Sequence, residues 1–299
     1  MTHFIEISQL TTTQIEKLLQ RAKFFKEHDS YPNFANYKLA NLFYENSTRT
    51  RISFELAANH LSIYAVNLNL EASSESKGES IVDTIQTLAA MGINLFVIRH
   101  KQDGLQQQLA NQVNADIHII NAGDGKHAHP SQAMLDLMTI KEYKPKLHQL
   151  KIAIIGNLQH SRVANSLQCL FKLMNVRDLV LVAPPVWQPE KVHYGQVSDS
   201  LKEGITDADV IICLRIQNER LVAGEMLNIE DYRANFAITS QVLQYAKPDA
   251  IIMHPGPLNR GIEIDSDVAD GPQSVILQQV KNGVFMRMAI IESLLMPYA

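Results

Sequence analysis

The sequence predicts an α/β protein of two doubly wound parallel-sheet domains, with the active site in the cleft between them. Three observations predict it. Short apolar runs alternate with helical patterns almost throughout; the alternation falls into two series separated by the polar stretch KEYKPKLHQ; and every conspicuous polar cluster follows the carboxyl end of an apolar run. In open parallel sheets, ligands gather at those ends.

In the first series, LANLFY (39–44), IYAVNLNL (63–70), NLFVIRH (94–100) and DIHIINA (116–122) are apolar or alternate with period two, as strands do. Helical spacing marks TRTRISFELAANHL, SIVDTIQTLAAM and GLQQQLANQV between them. A further helix opens at His129-Pro130-Ser131-Gln132, and the boundary between the two series falls near residues 140–150. The second series runs KIAIIGN (151–157), DLVLVAP (178–184), DVIICLRI (209–216), FAITSQVL (236–243) and AIIMHPG (250–256), again with helices between. The terminal VKNGVFMRMAIIESLLMPYA is amphipathic and can pack on either half.

The bulk properties narrow the function. A chain of 299 residues is ample for two domains, and 46% hydrophobic with 19% charged residues is a globular composition. A net charge of −4 argues against nucleic acid or an anionic membrane as the main partner, so any anion site is local. Cys169 and Cys213 lie in apolar surroundings, LQCLF and IICLR, without a CxxC, and read as reduced core residues of a cytoplasmic protein. The start, MTHFIEISQLTTTQIEKLL, lacks the pattern of a signal peptide, and no window reaches the roughly 18 apolar residues of a membrane span. Asn46-Ser47-Thr48 matches the glycosylation acceptor pattern but is discounted for a cytoplasmic chain.

Each polar cluster has a plain structural alternative. Ser47, Thr48 and Thr50 are good helix-capping residues, and Arg49 and Arg51 suit a solvated helix face. A helix dipole disfavours cations in its first turn, however, so two arginines there call for an anion, and hydroxyls with a guanidinium complete a phosphate cradle. ASSESKGESIVDT (72–84) reads as a loop ending in a cap at Glu79 or Ser80, yet Lys77 beside Gly78 is a mobile point charge able to close over an acidic ligand.

His127 and His129 invite a metal reading, but no third ligand stands at a recognised spacing, and His129 before Pro130 better suits polarising a carbonyl oxygen. Gly156 ends an apolar run without the G-x-G-x-x-G of a dinucleotide site, so a nicotinamide cofactor is not expected. In His254-Pro255-Gly256-Pro257 the prolines fix the backbone and leave carbonyls for a ligand's N–H groups. No Ser-His-Asp triad, Cys-His pair or Walker loop appears. A cationic, hydrogen-bonding site without a covalent nucleophile suits anion holding and electrophile activation.

Taken together and in order, S-T-R-T-R (47–51), S-x-x-x-K-G-E-S, R-H (99–100), H-P-S-Q-x-x-x-D (129–136), H-S-R-V-A-x-S (160–166), L-R-x-Q-x-E-R (214–220) and H-P-G-P-x-N-R-G-x-E (254–263) closely resemble the catalytic chains of the aspartate carbamoyltransferases. The resemblance spans nearly the whole chain. Ornithine enzymes of the same superfamily typically carry an H-C-L-P segment where this chain has His254-Pro255-Gly256-Pro257, which points to the aspartate branch.

The resemblance implies transfer of the carbamoyl group of carbamoyl phosphate to the α-amine of L-aspartate, giving N-carbamoyl-L-aspartate and phosphate in de novo pyrimidine biosynthesis, with no cofactor and no metal. It implies a carbamoyl-phosphate domain at residues 1–143, joined by a C-terminal helix at 284–299, and an aspartate domain at 144–283. By motif match, Ser47, Thr48, Arg49 and Thr50 hold the phosphate, and Arg99 bridges phosphate and carbonyl oxygen. Thr50, Arg99 and His129 stabilise the oxyanion, while Gln132 and the backbone at Pro255, Gly256 and Pro257 bind the carbamoyl amine. Arg162 and Arg215 clamp the aspartate carboxylates, Gln217 assists, and Lys77 contacts both substrates. Family enzymes are built on homotrimers with shared active sites, in which Ser73 and Lys77 enter the neighbour's site; a separate regulatory or dihydroorotase chain is compatible with this reading.

Two positions depart from the family pattern: Asn157, where an acid is common, and Ser8. The rival readings are a metal-dependent hydrolase built on His127, His129 and His254, and a non-catalytic partner chain of a pyrimidine-synthesis complex.

Overall fold

The computed structural model describes residues 1–68, 79–216 and 226–296. The chain divides into two compact units, Met1–Leu135 with Val280–Ala299, and Asp136–Gln279.

The first unit contains α1 (Thr12–Glu27), β1 (Lys38–Phe43), α2 (Thr48–His60), β2 (Tyr64–Asn67), α3 (Ile81–Ala90), β3 (Leu95–His100), α4 (Leu105–Ala110) and β4 (His118–Asp124), followed by the start of α5 (Pro130–Tyr143). Its four described strands are all parallel, in the order β2-β1-β3-β4. β1 and β3 are central, which accounts for their near-continuous burial: Leu39, Ala40 and Leu42 of one and Leu95 to Ile98 of the other are fully enclosed. One core cluster joins these strands to the helices through Ile85, Leu105 and Leu109. α1 opens with a reciprocal cap in which Thr11 and Gln14 each accept the other's backbone N–H.

The second unit contains the end of α5, then β5 (Lys151–Ile155), α6 (Arg162–Leu173), β6 (Asp178–Val182), β7 (Gln196–Ser198), α7 (Leu201–Ile205), β8 (Val210–Cys213), α8 (Ile229–Phe236), β9 (Ile251–Met253), α9 (Ser266–Ala269) and the start of α10 (Ile276–Leu295). Its five described strands are also parallel, in the order β7-β6-β5-β8-β9. The chain passes from the first unit to the second within α5 and returns within α10. The C-terminal part of α10 joins the first unit, where Glu292 holds Arg21 through two bonds of 2.6 and 2.7 Å and Arg287 lies 5.0 Å over the Phe54 ring. No described helix is long and apolar enough to cross a membrane.

One expected strand is not formed. FAITSQVL begins in the last residue of α8, contributes only an isolated bridge between Ile238 and Ile264, and continues as a 3-10 turn at Val242–Tyr245. The Thr239 hydroxyl accepts the Val242 N–H at 3.2 Å and its carbonyl accepts that of Leu243 at 3.0 Å, so a local bond turns the chain where the apolar pattern suggests extension. The three-residue β7, with a single apolar residue, takes a sheet edge instead.

Candidate active site

In the first unit the site residues follow β1, β3 and β4, which are neighbours in the sheet. Phe43 stands in register with Arg99, and the Tyr44 N–H donates to the Arg99 carbonyl at 2.9 Å, so the ends of β1 and β3 are locked together. Two residues beyond Tyr44 the chain enters α2. Ser47 is its N-cap, but its side chain makes no capping bond, and no acidic residue lies in the first turn. Thr11, Ser80, Ser161 and Asn228, by contrast, all cap their helices α1, α3, α6 and α8 through side-chain oxygens. The N-terminus of α2 thus presents the positive end of its dipole without a side-chain cap. Thr48 and Arg49 are exposed there and Thr50 is buried. The Arg99 guanidinium is held by the Ala122 carbonyl at 3.3 Å and faces Glu45 at 3.5 Å. Beside it, burial pushes His100 below the ordinary imidazole range, against the opposing pull of Glu45.

The end of β4 delivers the next group. Asp124 is wholly buried; one carboxylate oxygen accepts the Gly104 N–H at 2.7 Å and the other faces His127 Nδ1 at 3.1 Å. The turn closes through His127 N–H to the Asp124 carbonyl at 2.8 Å and Asp124 N–H to the Ala128 carbonyl at 2.9 Å. It leads to His129, whose carbonyl accepts the amides of Gln132 and Ala133 at the start of α5, with Pro130 in the first helical position. His129 and Gln132 are both buried. The hydrogen bond to Asp124 raises the His127 pKa above its ordinary value; burial opposes this, and Glu6 and Asp103 add to it. His127 therefore serves this turn, and among the described residues no group of three or more His, Cys, Asp or Glu could hold a metal ion. Asp124 had no role in the sequence reading. Its signal was there, an acid flanked by glycines between an apolar run and two histidines.

In the second unit the site residues follow β5, β8 and β9, again neighbours. Gly156 sits at φ +132, and a Cβ there would lie 2.8 Å from the Leu214 carbonyl oxygen. Only glycine lets the ends of β5 and β8 meet this closely, with the Leu214 N–H donating to the Ile155 carbonyl at 2.8 Å. Asn157 Oδ1 then accepts the His160 N–H at 3.2 Å and lies 2.9 Å from His160 Nδ1, which must carry the proton to donate to it. Ser161 caps α6 by accepting the Ala164 N–H at 3.2 Å, and Arg162, buried, is the first helical residue. Arg215 is half-buried just past β8. Pro255, Gly256 and Pro257 follow β9; Gly256 adopts φ +67, and the Gly256–Pro257 bond is cis.

The fold therefore brings Ser47, Thr48, Arg49, Thr50, Arg99, His129 and Gln132 to the carboxyl ends of the strands of the first sheet, and Arg162, Arg215 and Pro255 to Pro257 to the carboxyl ends of the strands of the second. Ser73, Lys77 and Gln217 lie outside the described residues. Ser80 caps α3, accepting the Asp83 N–H at 3.1 Å. The two departures from the family pattern have local roles: Asn157 shapes the turn before α6, and Ser8 donates to Glu6 at 2.9 Å. Cys213 is buried, which pushes its thiol pKa up, and Cys169 is only partly so; both are free.

Two family models match the chain: Aspartate/ornithine carbamoyltransferase, carbamoyl-P binding domain, over residues 2–142, and Aspartate/ornithine carbamoyltransferase, Asp/Orn binding domain, over residues 148–294. Among curated proteins, the aspartate carbamoyltransferase catalytic subunit of Legionella pneumophila (strain Corby) is 64% identical over 295 residues, covering 99% of both chains. That of Coxiella burnetii (strain Dugway 5J108-111) is 47% identical, covering 98% of this chain and 96% of the other. Among solved structures, aspartate transcarbamoylase from Trypanosoma cruzi in complex with carbamoyl phosphate and aspartate superposes with a TM-score of 0.87 at 29% identity, covering 98% of this chain and 96% of that one.

Proposed function

The chain belongs to the aspartate/ornithine carbamoyltransferase family, and on that premise we propose that it transfers the carbamoyl group of carbamoyl phosphate to the α-amine of L-aspartate, releasing N-carbamoyl-L-aspartate and phosphate for pyrimidine synthesis. The observation that carries this reading is the open N-terminus of α2: a 13-residue helix with no side-chain cap, no acid in its first turn and two arginines, Arg49 and Arg51, where the dipole disfavours cations. A phosphate dianion meets all three conditions at once.

The residue roles are those that the match to the family's motifs implies, and each group can supply the chemistry its role asks for. Ser47, Thr48, Arg49 and Thr50 seat the phosphate. Arg99 reaches from the adjoining strand end to the phosphate and the carbonyl oxygen, and with Thr50 and His129 it stabilises the negative charge that grows on that oxygen. Gln132 and the carbonyls of Pro255 and Gly256 accept the carbamoyl N–H groups, with Pro257 fixing the end of that loop. Arg162, Arg215 and Gln217 hold the aspartate carboxylates, and Lys77 contacts both substrates. The amine nitrogen bonds to the carbonyl carbon, the tetrahedral oxyanion collapses, and the carbon–oxygen bond to phosphate breaks. The leaving phosphate takes the amine proton, since no side chain in this set is an evident base.

The reading includes a cytoplasmic homotrimer in which Ser73 and Lys77 enter a neighbour's site, supported by the family motifs these residues match. Light scattering gives the assembly mass directly. The test of function is phosphate release from carbamoyl phosphate with a panel of amino acids: release with L-aspartate and none with L-ornithine is the expected result. Release with ornithine, or with no acceptor, overturns the assignment.

A further inference from the structure

The loop after β9 is held by two side chains to which the roles above give no task. His254 is 1% exposed and Glu263 is 2% exposed. The Gly256 N–H donates to His254 Nδ1 at 2.8 Å, so that nitrogen carries no proton and the neutral ring has its hydrogen on Nε2. Nε2 lies 3.2 Å from Glu263 Oε1, and the same oxygen accepts the Asn259 N–H at 2.6 Å. The start of the loop is fixed too, by the His254 N–H donating to Gln279 Oε1 at 3.1 Å, while Gln279 donates to Asp136 at 2.6 Å.

This chain of bonds has a geometric consequence. The Pro255–Gly256 peptide is trans, the cis bond being the next one along. In a planar trans peptide the carbonyl points opposite to the N–H. With its N–H drawn onto His254 Nδ1, the peptide turns the Pro255 carbonyl away from the buried imidazole, and no hydrogen bond to that carbonyl is formed among the described residues. If His254 took the other tautomer, its Nδ1 hydrogen would face the Gly256 hydrogen and the peptide would have to rotate. Glu263, by accepting only from Nε2–H, selects the tautomer that keeps the peptide in place.

We infer that Glu263 and His254 are positioning residues for the carbamoyl amine: Glu263 fixes the His254 tautomer, and His254 aims the Pro255 carbonyl at the substrate N–H. The inference rests on the functional reading above. It is distinct from a merely structural role because it concerns one end of the substrate only. The carbamoyl amine needs the carbonyl; inorganic phosphate and acetyl phosphate, which have no N–H to donate, do not.

The experiment compares the full-length wild type, Glu263→Ala and Glu263→Gln by calorimetric titration with carbamoyl phosphate, acetyl phosphate and inorganic phosphate. Glu263→Ala is expected to lose about tenfold in carbamoyl phosphate affinity while its binding of the other two stays within about twofold. Glu263→Gln, whose amide oxygen accepts both bonds that Oε1 accepts now, is expected to restore wild-type affinity. Equal binding of carbamoyl phosphate by wild type and Glu263→Ala, or a loss shared by all three ligands, overturns the inference alone. A wild type that binds no carbamoyl phosphate overturns the functional reading with it. Should Glu263→Ala not fold, ¹⁵N spectra of the wild-type imidazoles decide, with the ring assigned by its loss in His254→Gln: Nε2–H supports the inference, and Nδ1–H overturns it.

Discussion

Helices α2 and α6 begin alike and end up differently equipped. Each follows a parallel strand, each has a serine at its N-cap, and each carries an arginine within its first two residues, Arg49 in one and Arg162 in the other. Ser161 spends its hydroxyl on its own helix, accepting the Ala164 N–H, and Arg162 is buried behind it. Ser47 makes no such bond, and Arg49 stands exposed. The same local sequence signal therefore builds a closed start in the second unit and an open one in the first. A cap takes up one of the first amides; an uncapped start leaves that amide, at the positive end of the dipole, for a ligand. That difference matches the charges proposed for the two ligands, a phosphate dianion at α2 and carboxylates at Arg162.

The contrast can be broken most sharply at the arginines. Arg49→Ala is expected to lower turnover by about 10³-fold with an unchanged thermal midpoint, because it removes charge that the reacting phosphate needs. Retained activity would remove the phosphate seat from α2. Arg162→Ala is expected to lower kcat/KM for aspartate by about 10²-fold while calorimetric binding of carbamoyl phosphate is preserved. A parallel loss of carbamoyl phosphate binding would mean that the two arginines do not divide the substrates between them.

The serines give a smaller, crossed effect. Ser161→Ala is expected to cost about 1 kcal/mol of stability in denaturant unfolding, the usual worth of an N-cap. Ser47→Ala is expected to leave unfolding unchanged and to weaken phosphate binding severalfold, about 1 kcal/mol. Reversal of these two signatures would show that the open and closed starts have been misassigned. The smallest effect belongs to the turn before α5. There the His127 pKa is raised above its ordinary imidazole value, chiefly by its bond to Asp124. A raised imidazole stabilises the fold fully below the unfolded value and loses that contribution as pH rises through the folded one. His127→Gln should therefore destabilise by under about 1 kcal/mol, since the site is partly open to water, with the deficit largest below pH 6.5 and fading in alkali.

How much of this was legible depends on the residue. The strands were, because central parallel strands are apolar on both faces: KIAII and DLVLV need no further context. FAITSQVL looked similar, but its Thr239 hydroxyl bonds locally and ends the extension, a competition that periodicity does not register. β7 was too short to carry a pattern, whereas α1 was legible but went unread, its Ile15, Leu18, Leu19, Ala22 and Phe25 recurring at helical spacing. At the site, the arginines and histidines were visible as polar residues after apolar runs, whereas the open state of Ser47 is a matter of backbone angles. Likewise Glu263 stood in a quoted motif, but its bond to His254 joins residues nine apart and exists only once the loop has turned.

The discontinuity of the first unit bears on how the chain assembles as it is made. Met286, Ala289, Ile290 and Leu294, all enclosed in the finished protein, are translated after every residue of the continuous unit Asp136–Gln279. Nascent domains generally fold as units in order of emergence, at about 5–20 residues synthesised per second. Here the order inverts: the half made first waits for Arg287 to cover the Phe54 ring and for Glu292 to pair with Arg21, while the half made later can close its own core at once. A chain cut off after residue 279 and released would thus hold a complete second half and a first half that chaperones still recognise.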